Sequence, residues 1–595
     1  MGQSGINNMN NNMNNEQRLR RQIIIGIDFG TSGLCFSYGT SVNGDIYPHI
    51  GHFDGQGRDN KILNEIILDN NLTQVLAFGN DCNSFLSSAN KCIFHHFKNI
   101  KMNLYNNLDK VKALNSDKEV DIEYIIKLIL IETKKKAIEQ IRLSIPNLDE
   151  ENIHYVLTVP AIWDIKCKQK MIKASQQAGL IREDDDFSNF FALEPEAASI
   201  FLAYENRRKS CYEEISRYLI DVPFILCDFG SGTVDIVTHK KKVENNILKF
   251  EELYPPVGNN LGSNKINEYF IDRIIKPLIG EDNLNLIKKA LYGTQDYESW
   301  ARFEKAIEEF KKNFIAKEQI NLDYEIDCSF FQVIEVNISE KIQNFNNNNK
   351  WKLTSGRFDK YKIRFPFQII YDFMVELISS IIELIIPITE SIKEINTIIF
   401  CGGASVNPML YKILDNSHLH GMNFIRAANP EIAISQGSVL FSNLPNDVFR
   451  KAKYTFGIKV SKNWKDSIHN SGGKKRFDEI EKIYKCTNIF SKFITKGDEL
   501  RPDEIIENTY IMNGPKATIE LYKTEEKNVL FCDQKDENGK LKIWKFADYE
   551  IDVGNDFDIR EKKIIVKMKL GGTFITSMAI YCKTNKKADA RCLFE

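Results

Sequence analysis

The first two thirds of the chain contain short apolar runs that each lead into a glycine turn. Ile23–Ile27, Phe224–Cys227 and Ile398–Cys401 are almost wholly apolar, and a glycine follows each run within three residues. Apolar runs of about four to eight residues bounded by turn residues are consistent with strands buried on both faces. The pattern therefore predicts three buried strands, each with a flexible turn at its carboxyl end.

Longer segments have the spacing of helices. Apolar residues recur at intervals of three and four from Asp121 to Ser144, and a second helix is expected at Trp300–Phe314. Phe373–Ile392 is the most membrane-like stretch, but three glutamates and Pro387 interrupt it. A membrane-spanning helix needs about 20 predominantly apolar residues. This segment therefore predicts an amphipathic core helix and no membrane span.

The two ends of the chain differ from this pattern. Residues 1–22 are rich in Asn and poor in apolar residues, which predicts a disordered tail. From Tyr454 onward, short β-rich runs alternate with Gly, Asn and Asp turns, as in a β-sandwich-like domain. These runs are Phe456–Val460, Ala517–Tyr522, Ile564–Met568 and Phe574–Tyr581. In the middle of the chain, the asparagine run Asn346–Asn349 predicts a loop insertion.

Composition narrows the class of protein. The 595 residues predict several domains, and a hydrophobic content of 43% is enough for sizeable cores. A formal net charge of -2 gives no overall attraction to nucleic acid. The 12 cysteines include no Cys-x-x-Cys pair, so zinc and redox sites have little support. No secretory signal is visible, which predicts a reducing compartment: the cytoplasm, with the nucleus left open.

The turn after the second apolar run has the residues of a phosphate site. Residues 228–235 read Asp-Phe-Gly-Ser-Gly-Thr-Val-Asp. Glycines let backbone approach a ligand, and consecutive N–H groups form an anion-binding concavity. Carboxylates beside such a turn suit a hard cation such as Mg²⁺. On its own, an ordinary hairpin with an acidic turn explains the stretch equally well.

The motif is repeated. Residues 28–33 read Asp-Phe-Gly-Thr-Ser-Gly after the first apolar run, and Gly402, Gly403 and Ala404 follow the third. Two similar hairpins and a later double-glycine turn indicate two related lobes that face one nucleotide.

Two further motifs lie between these turns: Leu157–Trp163 and Leu193–Ala198, which contains Glu-Pro-Glu-Ala-Ala. In this order the five motifs resemble those of the seventy-kilodalton heat-shock chaperones of the actin-like ATPase superfamily, and most of all their divergent, lid-less relatives. The resemblance covers residues 23–444 well and implies an α/β fold: a two-lobed actin-like ATPase domain, with two RNase H-like lobes, before a small β-rich domain. The expected domains are lobe I at 23–220 plus 426–445, lobe II at 221–425, and a C-terminal domain at 454–595.

The resemblance also implies ATP or ADP with Mg²⁺ as the ligand. Asp28 and Asp228 would hold Mg²⁺ through water, and Lys101 and Glu194 would arrange the attacking water. Asp235 could help to accept its proton, and Lys101 matches the family's catalytic lysine better than Lys98 does. The residues expected to wrap the phosphates are Gly30, Thr31, Ser32, Gly230, Ser231, Gly232 and Thr233, the last also in a catalytic role.

On the nucleoside side of the expected site, some residues match the family pattern and others do not. The matching residues are Gly262, Glu308, Lys311, Gly402, Gly403 and Ala404. Val406 stands where the chaperones have an arginine that stacks on adenine, so the cation–π term is missing. Ile315 replaces a serine contact, and Lys168 replaces the arginine of a conformational relay. The alternatives are a surface lysine for Lys101 and a surface ion pair for Glu308 and Lys311.

These patterns support an ATP-binding and ATP-hydrolysing chaperone-like protein. The alternative is a nucleotide-sensing scaffold with little turnover, and a sugar kinase of the same superfamily would need a substrate-binding insertion with a dedicated base. The expected partners are a peptide client at the C-terminal domain and co-chaperones. The apolar linker and helical lid of the chaperones are not recognisable between Leu444 and Tyr454 or beyond. Weak coupling between nucleotide state and residues 454–595 is therefore expected.

Overall fold

Two mixed sheets organise most of the chain. The computed structural model describes residues 23–42, 45–53, 60–88, 93–182, 190–208, 221–244, 247–291, 297–312, 323–334, 336–356, 361–427, 429–442, 448–479, 481–501, 504–558, 560–570 and 575–591. The expected Asn-rich tail at 1–22 lies outside these ranges, as does Ile315.

The first sheet is built around the strand Ile23–Phe29, in which all seven residues are buried. Gly33–Val42 pairs with it antiparallel, and Ile153–Val159 pairs with it parallel on the other side. The remaining strands of this sheet are Asp45–Ile50 and Lys61–Leu63, both antiparallel to Gly33–Val42, and Phe191–Leu193, parallel to Ile153–Val159.

The second sheet repeats this arrangement around Pro223–Phe229, which is also fully buried. On one side Val234–Glu244 pairs antiparallel with the central strand, and Ile247–Asn259 pairs antiparallel with Val234–Glu244. On the other side Thr397–Cys401 pairs parallel with the central strand, and Asn423–Arg426 pairs parallel with Thr397–Cys401. Five strands thus have the same order and the same directions in both sheets. The repeat places the two Asp-Phe-Gly turns at equivalent positions, the carboxyl ends of the central strands.

Helices and short sheets fill the connections. The described helices are Asp81–Ser88, Ile100–Tyr105, Ile122–Ser144, Ile165–Gln177, Glu194–Arg208, Asn264–Phe270 (continued by Ile271–Ile275 and Lys276–Ile279), Glu281–Leu291, Tyr297–Lys312, Ile338–Asn348, Phe367–Ser391, Pro408–Asp415, Ala433–Phe441 and Asp466–His469. The short sheets pair Glu65–Asp69 with Val75–Phe78 and Phe94–Lys98, Lys110–Lys112 with Glu119–Asp121, and Lys362–Phe365 with Tyr324–Asp327 and Thr354–Ser355.

The predicted long helices are confirmed. Ile122–Ser144 begins at Asp121, whose side chain accepts from the backbone N–H of Glu123 as an N-cap. Helices also occupy Tyr297–Lys312 and Phe367–Ser391, the latter with its apolar stripe buried. Over the described part of the chain, every helix is too short or too polar to cross a membrane.

The predicted loop at the asparagine run is wrong, because a helix covers Ile338–Asn348. Asn337 caps it, and Ile338, Ile342 and Phe345 are buried at helical spacing. Burial of this stripe outweighs the weak helix propensity of asparagine.

One close helix contact positions the Glu-Pro-Glu-Ala-Ala motif. Helix Ala433–Phe441 crosses helix Glu194–Arg208 at Gly437, where a Cβ atom would lie 1.8 Å from the carbonyl oxygen of Ala197. Only glycine allows this approach. The crossing fixes helix Glu194–Arg208, with Glu194 at its first position, against helix Ala433–Phe441, which itself packs on the central strand of the first sheet at Gly26.

Two antiparallel sheets form the C-terminal part. Their strands are Lys475–Asp478, Ile483–Ile494, Thr455–Asn463, Lys516–Thr524 and Ile543–Asp552 in one, and Ile505–Ile511, Lys563–Lys569, Thr576–Tyr581 and Lys587–Arg591 in the other. The predicted strands are therefore found, although Phe574 lies outside the described residues. Phe456 and Leu521 of the first sheet and Val566 of the second belong to one apolar cluster.

A strand at Val448–Lys451, here called the connecting strand, joins this part to the second sheet. It pairs parallel with Ile247–Asn259 and antiparallel with Glu499–Leu500. Its Arg450 makes a buried two-pronged bond to Glu196, with Nε–Oε1 at 2.5 Å and Nη2–Oε2 at 2.7 Å. The sequence pattern did not indicate this link, because the strand carries a charge where the chaperones have apolar residues.

Arg450→Met is expected to lower the free energy of unfolding by roughly 3 kcal/mol, because it leaves Glu196 buried without its cation. Burial raises the pKa of the adjacent Glu252 to about 8, so Glu252 is mostly neutral at pH 7 and Glu196 is the carboxylate that Arg450 pairs with. Thermal unfolding and hydrogen exchange of the connecting strand measure the effect.

The double variant Glu196→Gln/Arg450→Met removes both charges and should recover most of the loss. Arg501→Met, at an exposed arginine, is the matched control and should change little. Equal stability of Arg450→Met and Arg501→Met would contradict the assignment.

Candidate functional site

The two glycine turns face each other and touch. The backbone N–H of Ser32 donates to Ser231 Oγ at 3.2 Å. A Cβ atom on Gly232 would lie 2.3 Å from Thr31 Oγ1, so the two turns pack backbone against side chain. This contact brings both predicted phosphate-binding turns into one site.

Four carboxyl groups gather behind the turns. Asp28 and Asp228 end the two central strands and are each 5% exposed, Asp235 is 1% exposed and Glu194 is 2% exposed. Asp228 Oδ1 and Asp235 Oδ2 have no hydrogen-bond partner among the described residues. Burial, followed by the charges of Asp235 and Asp28, raises the pKa of Asp228 to about 7. Four buried carboxyl groups thus lie beside two lysines, Lys101 and Lys61.

This donor set fits a magnesium ion held through its water. Unpaired, buried carboxylate oxygens are the ligands and water-binding groups that Mg²⁺ prefers. Across the described residues, no three His, Cys, Asp or Glu side chains come close enough to enclose a metal directly. The role of Asp28 and Asp228 in holding Mg²⁺ through bound water stays a prediction.

Lys101 is the buried cation of this group. It lies on helix Ile100–Tyr105, and its Nζ is 2.5 Å from Glu194 Oε1. Burial alone would lower the pKa of Lys101, but the charges of Glu194 and Asp28 raise it above its ordinary value. Lys98 instead bonds Glu65 at 3.2 Å and is partly exposed. Of the two lysines considered from the sequence, only Lys101 lies among the acidic residues.

Gly262 and its neighbours connect the hairpins to the helix Tyr297–Lys312. The backbone N–H of Gly262 donates to the carbonyl of Gly232 at 3.2 Å, and Asn264 Nδ2 donates to Ser32 Oγ at 3.1 Å. Lys311 Nζ lies 2.7 Å from Glu308 Oε1 and donates to the carbonyl of Ser263 at 3.3 Å. Lys311 is buried, whereas the Glu308 side chain is 40% exposed, so the pair is only half-buried.

The double-glycine turn closes the other side. Gly402 has φ +81°, and a Cβ there would lie 2.4 Å from Asp228 Oδ1, so both its conformation and its space require glycine. Asn407 Nδ2 donates to the carbonyl of Lys311 at 2.8 Å. Gly403 and Ala404 continue this turn into a short helix that ends at Val406. The turn therefore joins the Glu308–Lys311 side of the site to Asp228.

Comparison with known proteins finds distant relatives along most of the chain. The chain is 22% identical over 595 aligned residues to heat shock 70 kDa protein 12A of Homo sapiens, covering 88% of this chain and 85% of that protein. The Mus musculus protein of the same name is also 22% identical, over 86% of this chain and 82% of the relative. Heat shock 70 kDa protein 12B of Homo sapiens is 21% identical, over 72% and 69%. These similarities support a divergent heat shock 70 kDa-like protein. No protein-family model matches it.

The residues that depart from the heat shock 70 kDa pattern lie in different parts of the structure. Val406 ends the short helix of the double-glycine turn and offers no cation. Lys168 lies on helix Ile165–Gln177, where the carboxylates that act on it are Glu196 and Asp164. Burial, with the charges of Arg450 and Lys453, lowers the pKa of Lys168 to about 7. A permanent charge at this relay position is therefore lost.

Several site residues could not be found from sequence motifs. Asn64 Nδ2 donates to the carbonyl of Gly30 at 2.8 Å and supports the first turn, and Asn264 bonds Ser32. Asn264 lies two residues after Gly262, so a search outward from the predicted glycine would have reached it. Asn64 follows a strand of three residues, which is too short to show a period.

Proposed function

We propose that the protein binds Mg²⁺·ATP between the two hairpins and hydrolyses it, as a chaperone-like member of its family. The observation that carries this proposal is the contact between the two equivalent Asp-Gly turns, with four buried carboxyl groups and Lys101 behind them. Such an arrangement offers backbone donors to phosphates and carboxylates to the ion that accompanies them.

The chain's own groups have separable tasks in this proposal. Gly30, Thr31 and Ser32 on one hairpin, and Gly230–Thr233 on the other, bind phosphate oxygens. Lys101 orients the attacking water and the γ-phosphate, and the Glu194 bond holds the ammonium in place. Thr233 bonds the Asp235 carboxylate, which is placed to accept the proton of the water. Mg²⁺, when bound, neutralises charge on the phosphates. Positioning and electrostatics account for most catalysis of phosphoryl transfer.

The nucleoside would lie beside Glu308, Lys311 and the turn Gly402–Ala404. Val406 can pack on the adenine ring but cannot stack a guanidinium on it. This substitution favours the second candidate, a nucleotide-sensing scaffold with little turnover. For the C-terminal sheets we propose a peptide client, whose binding depends only weakly on nucleotide state.

Nucleotide binding is expected to depend on Mg²⁺. Titration calorimetry of the purified protein with ATP and with ADP, in Mg²⁺ and then in excess EDTA, tests this. We expect EDTA to weaken ATP binding by roughly 10- to 100-fold, because the carboxylates then repel the bare phosphates. ATP affinity that is the same in Mg²⁺ and in EDTA would contradict the proposed metal carboxylates, and no binding in either would contradict the site.

A further inference from the structure

A second lysine, Lys61, stands beside the metal carboxylates. It is the first residue of the strand Lys61–Leu63 and lies directly opposite Cys35, which in turn lies opposite Asp28. Residues opposite one another on neighbouring strands project from the same face of a sheet. The register therefore places Asp28, Cys35 and Lys61 in a row on one face of the first sheet.

The stem of Lys61 runs over the first glycine turn. A Cβ atom on Gly33 would lie 2.7 Å from Lys61 Cε and 2.8 Å from its Cγ. Gly33 ends the turn that begins at Gly30, so the methylene chain crosses the end of the phosphate-binding hairpin. The absence of a side chain at Gly33 leaves the room that this path requires.

The ammonium of Lys61 has no ion-pair or hydrogen-bond partner within the described part of the chain. Burial alone would lower its pKa, but the charges of Asp28 and Glu431, and more weakly Asp228, raise it. Cys35 Sγ donates to the backbone carbonyl of Glu431, and a Cβ on Gly403 would lie 3.7 Å from Glu431 Oε1. A charged amine in this acidic surrounding, without a bonded partner, is placed to receive an anion.

The two lysines flank Asp28 on different sides. Lys101 bonds Glu194, on the side of the expected attacking water. The charges of Glu194, Asp28 and Asp235 raise the pKa of Lys101. Lys61 lies on the other side, across the strand Gly33–Val42, and the charge of Glu431, which lies beside Gly403 of the expected nucleoside turn, acts on it. The polyphosphate chain would run from one to the other.

We propose that Lys61 is a second cationic ligand of the polyphosphate chain, binding it on the nucleoside side of Asp28 while Lys101 acts at its terminal phosphate. This inference rests on the proposed function. It adds a specificity residue: Lys61 discriminates nucleoside di- and triphosphates from the nucleoside alone.

The test compares Lys61→Met and Lys61→Arg with the wild type. Dissociation constants for Mg²⁺·ATP, Mg²⁺·ADP and adenosine are measured by titration calorimetry. We expect Lys61→Met to weaken ATP and ADP binding by roughly 10- to 100-fold, the worth of one charge-assisted hydrogen bond. Adenosine binding should be unchanged, and Lys61→Arg should restore most of the ATP affinity because it keeps the charge. Lys98→Met, at a lysine bonded to Glu65 outside the site, is the matched control.

A second experiment uses only the wild-type protein, so it does not require a folded variant. The wild-type protein is treated with an amine-acylating reagent, and modification of Lys61 is quantified by mass spectrometry. Mg²⁺·ATP should protect Lys61, and adenosine should not. Equal modification of Lys61 with and without ATP would overturn the proposal. Equal loss of ATP and adenosine affinity in Lys61→Met would also overturn it, because it would show that Lys61 has a structural role. If the wild type binds ATP and Lys61→Met binds it equally well, only the Lys61 inference fails. If the wild type binds no ATP, both fail.

Discussion

Lys101→Ala is expected to lower the rate of ATP hydrolysis roughly a thousandfold while ATP affinity changes less than about fivefold. Lys101 is buried with its ammonium bonded to Glu194, so its position is fixed before the substrate arrives. A group of this kind stabilises charge that develops in the transition state more than charge in bound ATP. Single-turnover phosphate release and ATP titration separate the two quantities.

Lys98→Ala is the matched control for this prediction. Lys98 is three residues away, belongs to the same segment and pairs with Glu65 and Glu304. Its variant should keep wild-type turnover. Because Lys101→Ala leaves Glu194 buried without a partner, Lys101→Ala/Glu194→Gln shows whether any loss comes from misfolding. Wild-type turnover in a folded Lys101→Ala variant would reject the assignment.

Gly230→Val is expected to weaken ATP binding by more than about 100-fold and to leave the protein folded. Among the glycines of the site, Gly230 is the suitable choice. An added Cβ would meet only the carbonyl oxygen of Thr233, at 3.2 Å, so the side chain extends into the open space of the turn. That space is where phosphate oxygens must approach the backbone.

The equivalent change elsewhere would damage the fold. At Gly262 a Cβ would lie 2.3 Å from the backbone of Ser231, and at Gly402 the positive φ adds strain. Gly514→Val is the control, because nothing lies within 4 Å of a Cβ at that loop position. Thermal unfolding checks that both variants are folded. Unchanged ATP affinity in folded Gly230→Val would rule out the proposed phosphate site.

The sequence predicted the candidate site best where the functional residues belong to a local backbone pattern. The repeated Asp-Phe-Gly turns could be predicted from two local patterns, a buried strand and a glycine turn. Both Asp-Phe-Gly turns lie where expected. Lys101 and Glu194 are 93 residues apart in sequence, and the family resemblance assigned both to one site, where they form a hydrogen bond. Local pattern and resemblance together were sufficient for residues that belong to motifs.

Features set by long-range packing were not predictable. Lys61 acquires its place from the register of a three-residue strand, which no periodicity reveals. The asparagine run was expected to be a loop, but the buried face of Ile338–Asn348 makes it helical. The connecting strand was missed because Arg450 is unlike an apolar linker, and only its partner Glu196, 254 residues earlier, explains a buried arginine there. In each case a distant contact overrides the local preference.

The measurement that tests the central claim most directly is a single turnover of ATP by the wild-type protein. Protein in excess is mixed with Mg²⁺ and ATP labelled in the γ-phosphate, and bound nucleotide and free phosphate are followed in the same sample. The account predicts tight, Mg²⁺-dependent binding followed by release of one phosphate for each ATP bound. Bound ATP that is recovered intact after prolonged incubation would contradict hydrolysis and leave the nucleotide-sensing scaffold, and a protein that retains no ATP would contradict the site itself.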